Sequence, residues 1–145
     1  MCYVLLLSTT ATEDLTVHNN DLVQFSRALP QLADVTALKY SNTWHIGSKS
    51  GCSCTFRHLY SVELGFGEPV DWYPEDPDVI AATVQVIRIV RPLLAQGHHV
   101  DCIDVWEHHE MDPGPKGALD VNLSSLKDSE CRFFENHHFT FIKAT

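Results

Sequence analysis

Residues 40–58, YSNTWHIGSKSGCSCTFRH, combine two runs of alternating polar and apolar side chains with a short loop bounded by glycines. This pattern predicts a β-hairpin whose loop is residues 47–51. Residues that face each other across an antiparallel pair lie on the same side of the sheet. The predicted register therefore sets Trp44 opposite Cys54 and gives the hairpin one apolar and one polar face. A loop that is one residue shorter or longer would change this register.

The predicted hairpin also carries the densest set of side chains in the sequence that can bind a ligand or take part in catalysis. Its polar face and its loop offer imidazole, hydroxyl, ammonium and guanidinium groups, which suit an anionic or polar ligand. The loop lacks the spacing of a P-loop, and its small polar residues are equally typical of a turn. The candidate ligand-binding residues are His45, Ser48, Lys49, Ser50 and Arg57.

A C-x-C pair in the same segment points to a metal. Thiolates and an imidazole bind zinc, so the candidate metal ligands are Cys52, Cys54 and His58, and zinc is the candidate cofactor. Alternate residues on a regular strand have Cβ atoms about 7 Å apart, so chelation requires Cys52 to lie in the turn. Packed thiols are the competing interpretation, because a lone C-x-C lacks the second half of the usual zinc pattern.

The rest of the chain predicts a layered fold around this segment. The apolar run at residues 2–8 predicts a strand inside the sheet, and strands are also expected near residues 99–106, 119–123 and 132–143, the last with a bend near Asn136. Residues 21–30 fit either a short helix or a strand.

One long helix is expected over residues 78–96, because its apolar side chains surround most of its circumference. Asp76 and Pro77 make a favourable start, and Gly97 a favourable stop. Pro92 is expected to kink or end the regular part near Val90. The predicted fold is α+β: a mainly antiparallel sheet of about six strands with one long buried helix on one face.

Composition limits the class of protein. The 145 residues are 44% hydrophobic and 20% charged, which predicts a single domain spanning residues 1–145. The net charge of −9 disfavours nucleic acid and anionic membranes as partners. The five cysteines follow no disulfide framework, and the first apolar run is too short for a signal-peptide core. These features predict a cytoplasmic protein.

Asp104 is the carboxylate of most interest, since its own strand face also carries Cys102 and Trp106. A buried Asp104 would have a raised pKa and serve as an acid or a base. A solvated Asp104 at the edge of the sheet is the favoured interpretation.

Three functional hypotheses follow. The first is a small protein that binds a ligand or a metal through the 40–58 hairpin. The alternative is a non-catalytic module that contacts another protein through the polar sheet face and the loop at residues 65–78, with Phe66, Trp72 and Tyr73 exposed. The third is an enzyme that uses His45 or His58 together with Asp104. A small molecule or a protein is the expected partner.

Overall fold

A computed structural model describes residues 3–30, 33–48, 53–59, 62–106 and 117–143. These residues form eight strands and one α-helix, joined by loops and short 3₁₀ turns. The elements are β1 (Tyr3–Thr9), β2 (Val23–Ser26), β3 (Asn42–Ser48), β4 (His58–Leu59), α1 (Pro77–Ala95), β5 (Val100–Trp106), β6 (Gly117–Asn122), β7 (Phe133–Phe134) and β8 (His137–Ile142).

Six of the strands form one sheet in the order β2-β3-β1-β5-β8-β6. Neighbouring strands are antiparallel, except that β6 runs parallel to β8. The strands β4 and β7 form a separate parallel pair. The predicted α+β class, with a mainly antiparallel six-stranded sheet and one helix, is confirmed.

The strand β1 is central and buried on both faces, as its continuous apolar sequence predicts. Leu5 and Leu7 belong to the larger core, which also contains the buried face of α1. Val4 and Leu6 point the other way and pack with Leu38, which follows the 3₁₀ turn Ala33–Ala37. The helix therefore covers one face of the sheet and a short irregular segment covers part of the other.

The helix α1 begins at Pro77 after an extended Asp76, and Gly97 beyond its end has a positive φ of 90°. Both predicted limits are confirmed. Of the expected kink or end near Val90, the end is wrong, because the helix continues through Pro92 to Ala95. Pro92 lacks an N–H donor and its ring crowds the preceding turn, but the backbone N–H of Gln96 still donates to the Pro92 carbonyl at 3.0 Å. No helix in the described ranges has the length and apolar character needed to cross a membrane.

The predicted hairpin is wrong. Both edges of β3 are already occupied, by β1 on one side and β2 on the other, so residues 53–57 have no edge to pair with. They form turns and bends, and the short β4 that follows pairs with β7. A short-range pattern cannot reveal that distant strands compete for the same edge.

Two other expectations are resolved by the sheet. Residues 23–26 form the edge strand β2, which selects the strand over the helix among the two alternatives. The chain bends at Asn136, as expected, with a positive φ of 59°. This bend separates β7 from β8 and sends them into different sheets.

Candidate functional site

Of the predicted ligand-binding residues, the structure describes His45, Ser48 and Arg57. His45 is partly buried on β3, where burial lowers the pKa of its imidazole, and Ser48 is buried with its hydroxyl accepting from the Thr55 backbone N–H at 3.3 Å. Lys49 and Ser50 lie outside the described residues. Their role in ligand binding stays a prediction.

Arg57 is used inside the protein. Its Nε and one terminal nitrogen hold both oxygens of Glu75 at 2.8 Å. Its other N–H groups donate to the carbonyl oxygens of Gly67, Ser129 and Cys131. With the side chain fully buried, this guanidinium joins two loops and has no N–H group left for a ligand.

The predicted metal ligands are only partly described. Cys52 lies outside the described residues, and Cys54 is half-buried. Both ring nitrogens of His58 contact protein oxygens, so a metal would have to displace one of them. Within the described ranges, no three His, Cys, Asp or Glu side chains are arranged to hold a metal ion. The zinc site remains a prediction.

The structure instead brings His58 to Asp104. The His58 Nδ1 atom lies 2.7 Å from Asp104 Oδ2, and the two side chains are 3% and 0% exposed. The residues come from β4 and β5, which belong to different sheets. Asp104 is thus buried rather than solvated, and burial raises the pKa of its carboxyl, an effect that His58 and His137 offset only in part. The less favoured of the two interpretations of Asp104 is the correct one.

The protons on this pair follow from its neighbours. The His58 Nε2 atom faces the Ser53 carbonyl oxygen, which can only accept, so Nε2 carries a proton. A contact of 2.7 Å between Nδ1 and Oδ2 also requires a proton, because two lone pairs would repel each other at that distance. The pair therefore holds one proton shared between a carboxyl and an imidazole.

Ser53 connects this pair to the central sheet. Its hydroxyl accepts from the Leu5 N–H at 2.9 Å and donates to the Ile46 carbonyl at 2.6 Å. It therefore bridges β1 and β3 at the last pair of their ladder, Leu5 and Ile46. The carbonyl that orients His58 is consequently fixed by the sheet itself.

The second oxygen of Asp104 is the most informative atom of the site. Asp104 Oδ1 is buried and has no hydrogen-bond partner among the residues that the structure describes. The other such side-chain atom is Trp44 Nε1, whose ring is covered by the Arg27 guanidinium at 3.9 Å. A buried carboxylate oxygen without a donor costs free energy, so a functional role is a reasonable explanation for it.

Aromatic rings surround the pair. The Tyr3 ring stacks on the His58 ring, with centroids 4.2 Å apart and planes at 5°. The Tyr3 and Trp106 rings meet in a T-shaped arrangement with centroids 4.9 Å apart. Burial, together with the charges of Glu135 and Asp104, raises the pKa of Tyr3 to about 12. The site therefore combines aromatic surfaces with a negative potential.

His137 completes the group. It lies opposite Asp104 in the pairing of β8 with β5, and its Nδ1 atom is 2.7 Å from the Glu135 carbonyl. On its other side, a Cβ atom at Gly117 would come within 2.7 Å of the imidazole. The absence of a side chain at Gly117 therefore makes room for the His137 ring.

A second buried pair on the same strand provides a comparison. His138 Nε2 lies 2.7 Å from Asp101 Oδ2, which also accepts from the Lys39 N–H at 3.0 Å. The remaining oxygen, Asp101 Oδ1, accepts from the Ser8 hydroxyl. Both oxygens of Asp101 thus have donors, as expected of a structural carboxylate, whereas one oxygen of Asp104 has no donor within the described ranges.

In the sequence, His58 and Asp104 are connected only by the third hypothesis, and no pattern singles out Tyr3 or His137 as site residues. The signal for Asp104 was its position between the apolar residues Ile103 and Val105 in a mostly apolar strand, which favours burial on both faces. Tyr3 and His137 join the site through strand pairings that are distant in sequence. Comparison of the chain with protein-family models, with curated proteins and with solved structures found no match.

Proposed function

We propose that this protein binds a small polar molecule beside Tyr3 and Trp106 and exchanges a proton with it through the Asp104–His58 pair. The observation that supports the proposal is the buried Asp104 Oδ1 atom, which has no donor among the described residues. A ligand N–H or O–H group would supply that donor. The same contact would place the ligand next to a carboxyl with a raised pKa, which favours proton transfer near neutral pH.

The proposed proton transfer uses Asp104 as the group that meets the ligand. A protonated ligand gives its proton to Oδ1, while the proton shared at Oδ2 stays on His58 Nδ1. The ligand and the Asp104 carboxyl are then both neutral, and the positive charge remains on the His58 imidazolium. His58 Nε2 is bonded to the Ser53 carbonyl, so it cannot accept a proton from a serine or cysteine. The arrangement therefore favours acid–base chemistry on a bound molecule over a nucleophile of the Ser-His-Asp kind.

The aromatic rings indicate which molecules fit. Tyr3 and Trp106 offer flat apolar surfaces, and Glu135 adds a second carboxylate near the Tyr3 hydroxyl. Such a setting attracts flat heteroaromatic or cationic molecules that carry an N–H group. We propose amines, amidines and nitrogen heterocycles as the ligand class.

A screen of these compounds by protein NMR tests the proposal. We expect hits to shift the resonances of Tyr3, Trp106 and His137, and to bind at least about tenfold more weakly to Asp104→Asn, because a buried hydrogen bond to a charged group is worth about 1.5–3 kcal/mol. Asp101→Asn is the matched control, since it changes the other buried pair and should leave the affinity unchanged. Equal affinity for Asp104→Asn and wild type would contradict the proposal.

The zinc hypothesis is checked separately, by elemental analysis of protein purified without a chelator. Stoichiometric zinc that is lost in Cys54→Ser would support it. In that case His58 would have to release either Asp104 or Ser53. The geometry of His58 therefore favours the acid–base proposal over the metal proposal.

A protein-interaction role is the second candidate, and one residue favours it. Trp72 is 74% exposed, whereas Phe66 and Tyr73 pack against the core instead of facing solvent as the sequence predicted. An exposed tryptophan on an ordered loop is a typical contact residue. Partner capture that is lost in Trp72→Ala and retained in Cys54→Ser would support this role.

We also propose the cytoplasm as the compartment of the protein. The odd number of cysteines supports this, as does the burial of Cys102 and Cys131 in the core as thiols. Burial raises the pKa of both thiols, that of Cys131 to about 11, and so keeps them unreactive. Expression of a tagged protein followed by fractionation tests the assignment.

A further inference from the structure

A second concave site lies away from the Asp104 pair, beside the C-terminal half of α1. Its volume is about 380 Å³, which falls within the range of small-molecule sites of about 300–1,000 Å³. It is bounded by the helix, by the 3₁₀ turn Leu123–Ser125 and by the residue that follows β8. Its lining residues are Arg88, Arg91, Pro92, Leu94, Ala95, Leu123, Ser124 and Lys143.

The lining combines an apolar floor with a cationic rim. Three of the ten lysines and arginines of the chain meet here, although the protein carries a net charge of −9. Asp128 is the carboxylate that the structure pairs with this rim, and it is shared by Arg88 at 3.4 Å and Arg91 at 2.5 Å. Among the described residues that line this cavity or pair with its lining, three positive charges thus meet one carboxylate.

The two arginines play different parts. Arg91 also donates to the carbonyl oxygens of Leu123 and Leu126 at 2.6 Å, so it fastens the segment to the helix. The Arg88 side chain is 67% exposed, and Lys143 is exposed as well. Arg88 and Lys143 are therefore the cations that a ligand would meet.

These cations are not needed to satisfy the end of the helix. The last carbonyl groups of α1 accept from the chain itself, through the backbone N–H groups of Gln96, Gly97 and His98 at 3.0 Å. This is the usual way in which a helix C-terminus is capped. The positive charge at the cavity is thus available for a ligand.

We propose that this cavity binds a free, small amphipathic carboxylate, whose charged head pairs with Arg88 and Lys143 and whose apolar body lies on Pro92, Leu94 and Leu123. A neighbouring cavity of about 270 Å³ shares Leu94 and Lys143 and extends the groove towards Phe141. The groove therefore has room for a chain of medium length. It shares no lining residue with the Asp104 pair, so the two sites are independent.

Calorimetry with octanoate and octylammonium tests this proposal, because the two probes share an apolar chain and differ in the sign of the head group. We expect octanoate to bind and octylammonium to bind at least about tenfold more weakly. Arg88→Gln and Lys143→Gln should each weaken octanoate about threefold to fivefold, as expected for exposed ion pairs, and about tenfold together. Both side chains are exposed, so both variants should keep the fold.

Two further variants make the test specific. Ala95→Glu places a carboxylate on the exposed lining and should weaken octanoate while strengthening octylammonium. Lys39→Gln removes a positive charge outside the lining and should leave octanoate binding unchanged. The proposal is overturned if octanoate does not bind at millimolar concentration, if the two probes bind equally, or if Arg88→Gln with Lys143→Gln leaves octanoate binding intact.

Discussion

Two aspartates three residues apart on β5 show how partners decide the part that a buried carboxylate plays. Both Asp101 and Asp104 are fully buried and both contact a histidine at 2.7 Å. Since β5 alternates its side chains, they project to opposite faces of the sheet. Asp101 has donors for both oxygens and ties a loop to the sheet, whereas Asp104 satisfies one oxygen. Asp101 is therefore expected to stabilise the fold, whereas Asp104 is expected to serve a function at some cost in stability.

Substitution by asparagine should separate the two roles. In Asp101→Asn, an amide N–H group faces a group that already donates a hydrogen bond, and two donors cannot bond to each other. We therefore expect this substitution to lower the free energy of unfolding by about 2–3 kcal/mol. Asp104→Asn should change it by about 1 kcal/mol or less, because the amide can donate to His58 Nδ1 and no charge remains buried. Urea unfolding of both variants at neutral pH measures the difference, and an equal loss in both would show that Asp104 is structural.

The pKa of the Tyr3 hydroxyl reflects the electrostatic potential at the Asp104 site. Because its pKa is raised to about 12, the folded protein retains a proton that the unfolded chain releases near pH 10. The stabilising contribution is therefore complete below about pH 10 and is lost as the pH rises towards 12. In an absorbance titration of tyrosinate, one of the four tyrosines should ionise late, and this late phase should vanish in Tyr3→Phe. In Glu135→Gln it should move to lower pH, and an unmoved phase there would contradict the assigned cause.

At the scale of the structural elements, a buried cluster of charged side chains fixes the loops that have no regular secondary structure. Glu75 accepts from both Arg57 and Arg132, and its side chain is 6% exposed. Arg132 also donates to the carbonyl oxygens of Gly65 and Glu68. Guanidinium groups with several donors suit such a role, because each one satisfies many backbone acceptors at once. The cluster fixes the loop at residues 65–78 relative to β4 and β7.

Glu75→Gln should therefore be strongly destabilising, and the effect should depend on pH. Burial alone would raise the pKa of Glu75, but hydrogen bonds and charges from Arg57 and Arg132 outweigh it and lower the pKa. The stability that the carboxylate contributes is present above the unfolded value of about 4.3 and is lost as the pH falls through the lower folded value. We expect a loss of about 3–5 kcal/mol at pH 7, measured by urea unfolding.

The matched control for this cluster is Glu68→Gln. Glu68 is exposed, and its carboxylate accepts from the Ser129 hydroxyl at 2.5 Å, so only a small loss is expected. The difference between wild type and Glu75→Gln should shrink as the pH falls below the unfolded value of about 4.3 and through the lower folded value, where the wild-type carboxyl becomes protonated in both states. A difference that is independent of pH would mean that the loss comes from packing and not from the charge.

Elements with a strong local signal were predictable from the sequence. The apolar run of β1, the limits of α1 and the alternation in β6 all carry a pattern within ten to twenty residues. The hairpin failed because β3 lies between β1 and β2, and nothing near Trp44 encodes that competition. The helix passed Pro92 because packing of its buried face outweighed one lost hydrogen bond.

The site was less predictable than the fold. Asp104 and His58 were both noted from their residue types, yet Arg57 looked like a ligand residue and proved to be an internal tie. The reason is that the role of a charged side chain depends on what the fold places around it. Tyr3 and His137 reach Asp104 across strand pairs whose members are far apart in the sequence.

For the whole molecule, charge is the property most open to control by pH. The chain carries nine histidines and a net charge of −9 with these neutral, so full protonation would cancel the net charge. Burial lowers the pKa of His45, which will therefore charge at lower pH than an exposed histidine. His18 and His99 are among the more accessible ones.

We expect the solubility of the protein to fall between pH 7.5 and its sequence pI near 5.3, because the loss of net charge removes the repulsion between molecules. Precipitation by polyethylene glycol across this range measures the effect. Replacing the partly buried His45 by asparagine should leave the solubility minimum nearly unmoved, because burial lowers the pKa of that imidazole. Constant solubility across the range would show that surface charge does not govern association of this protein.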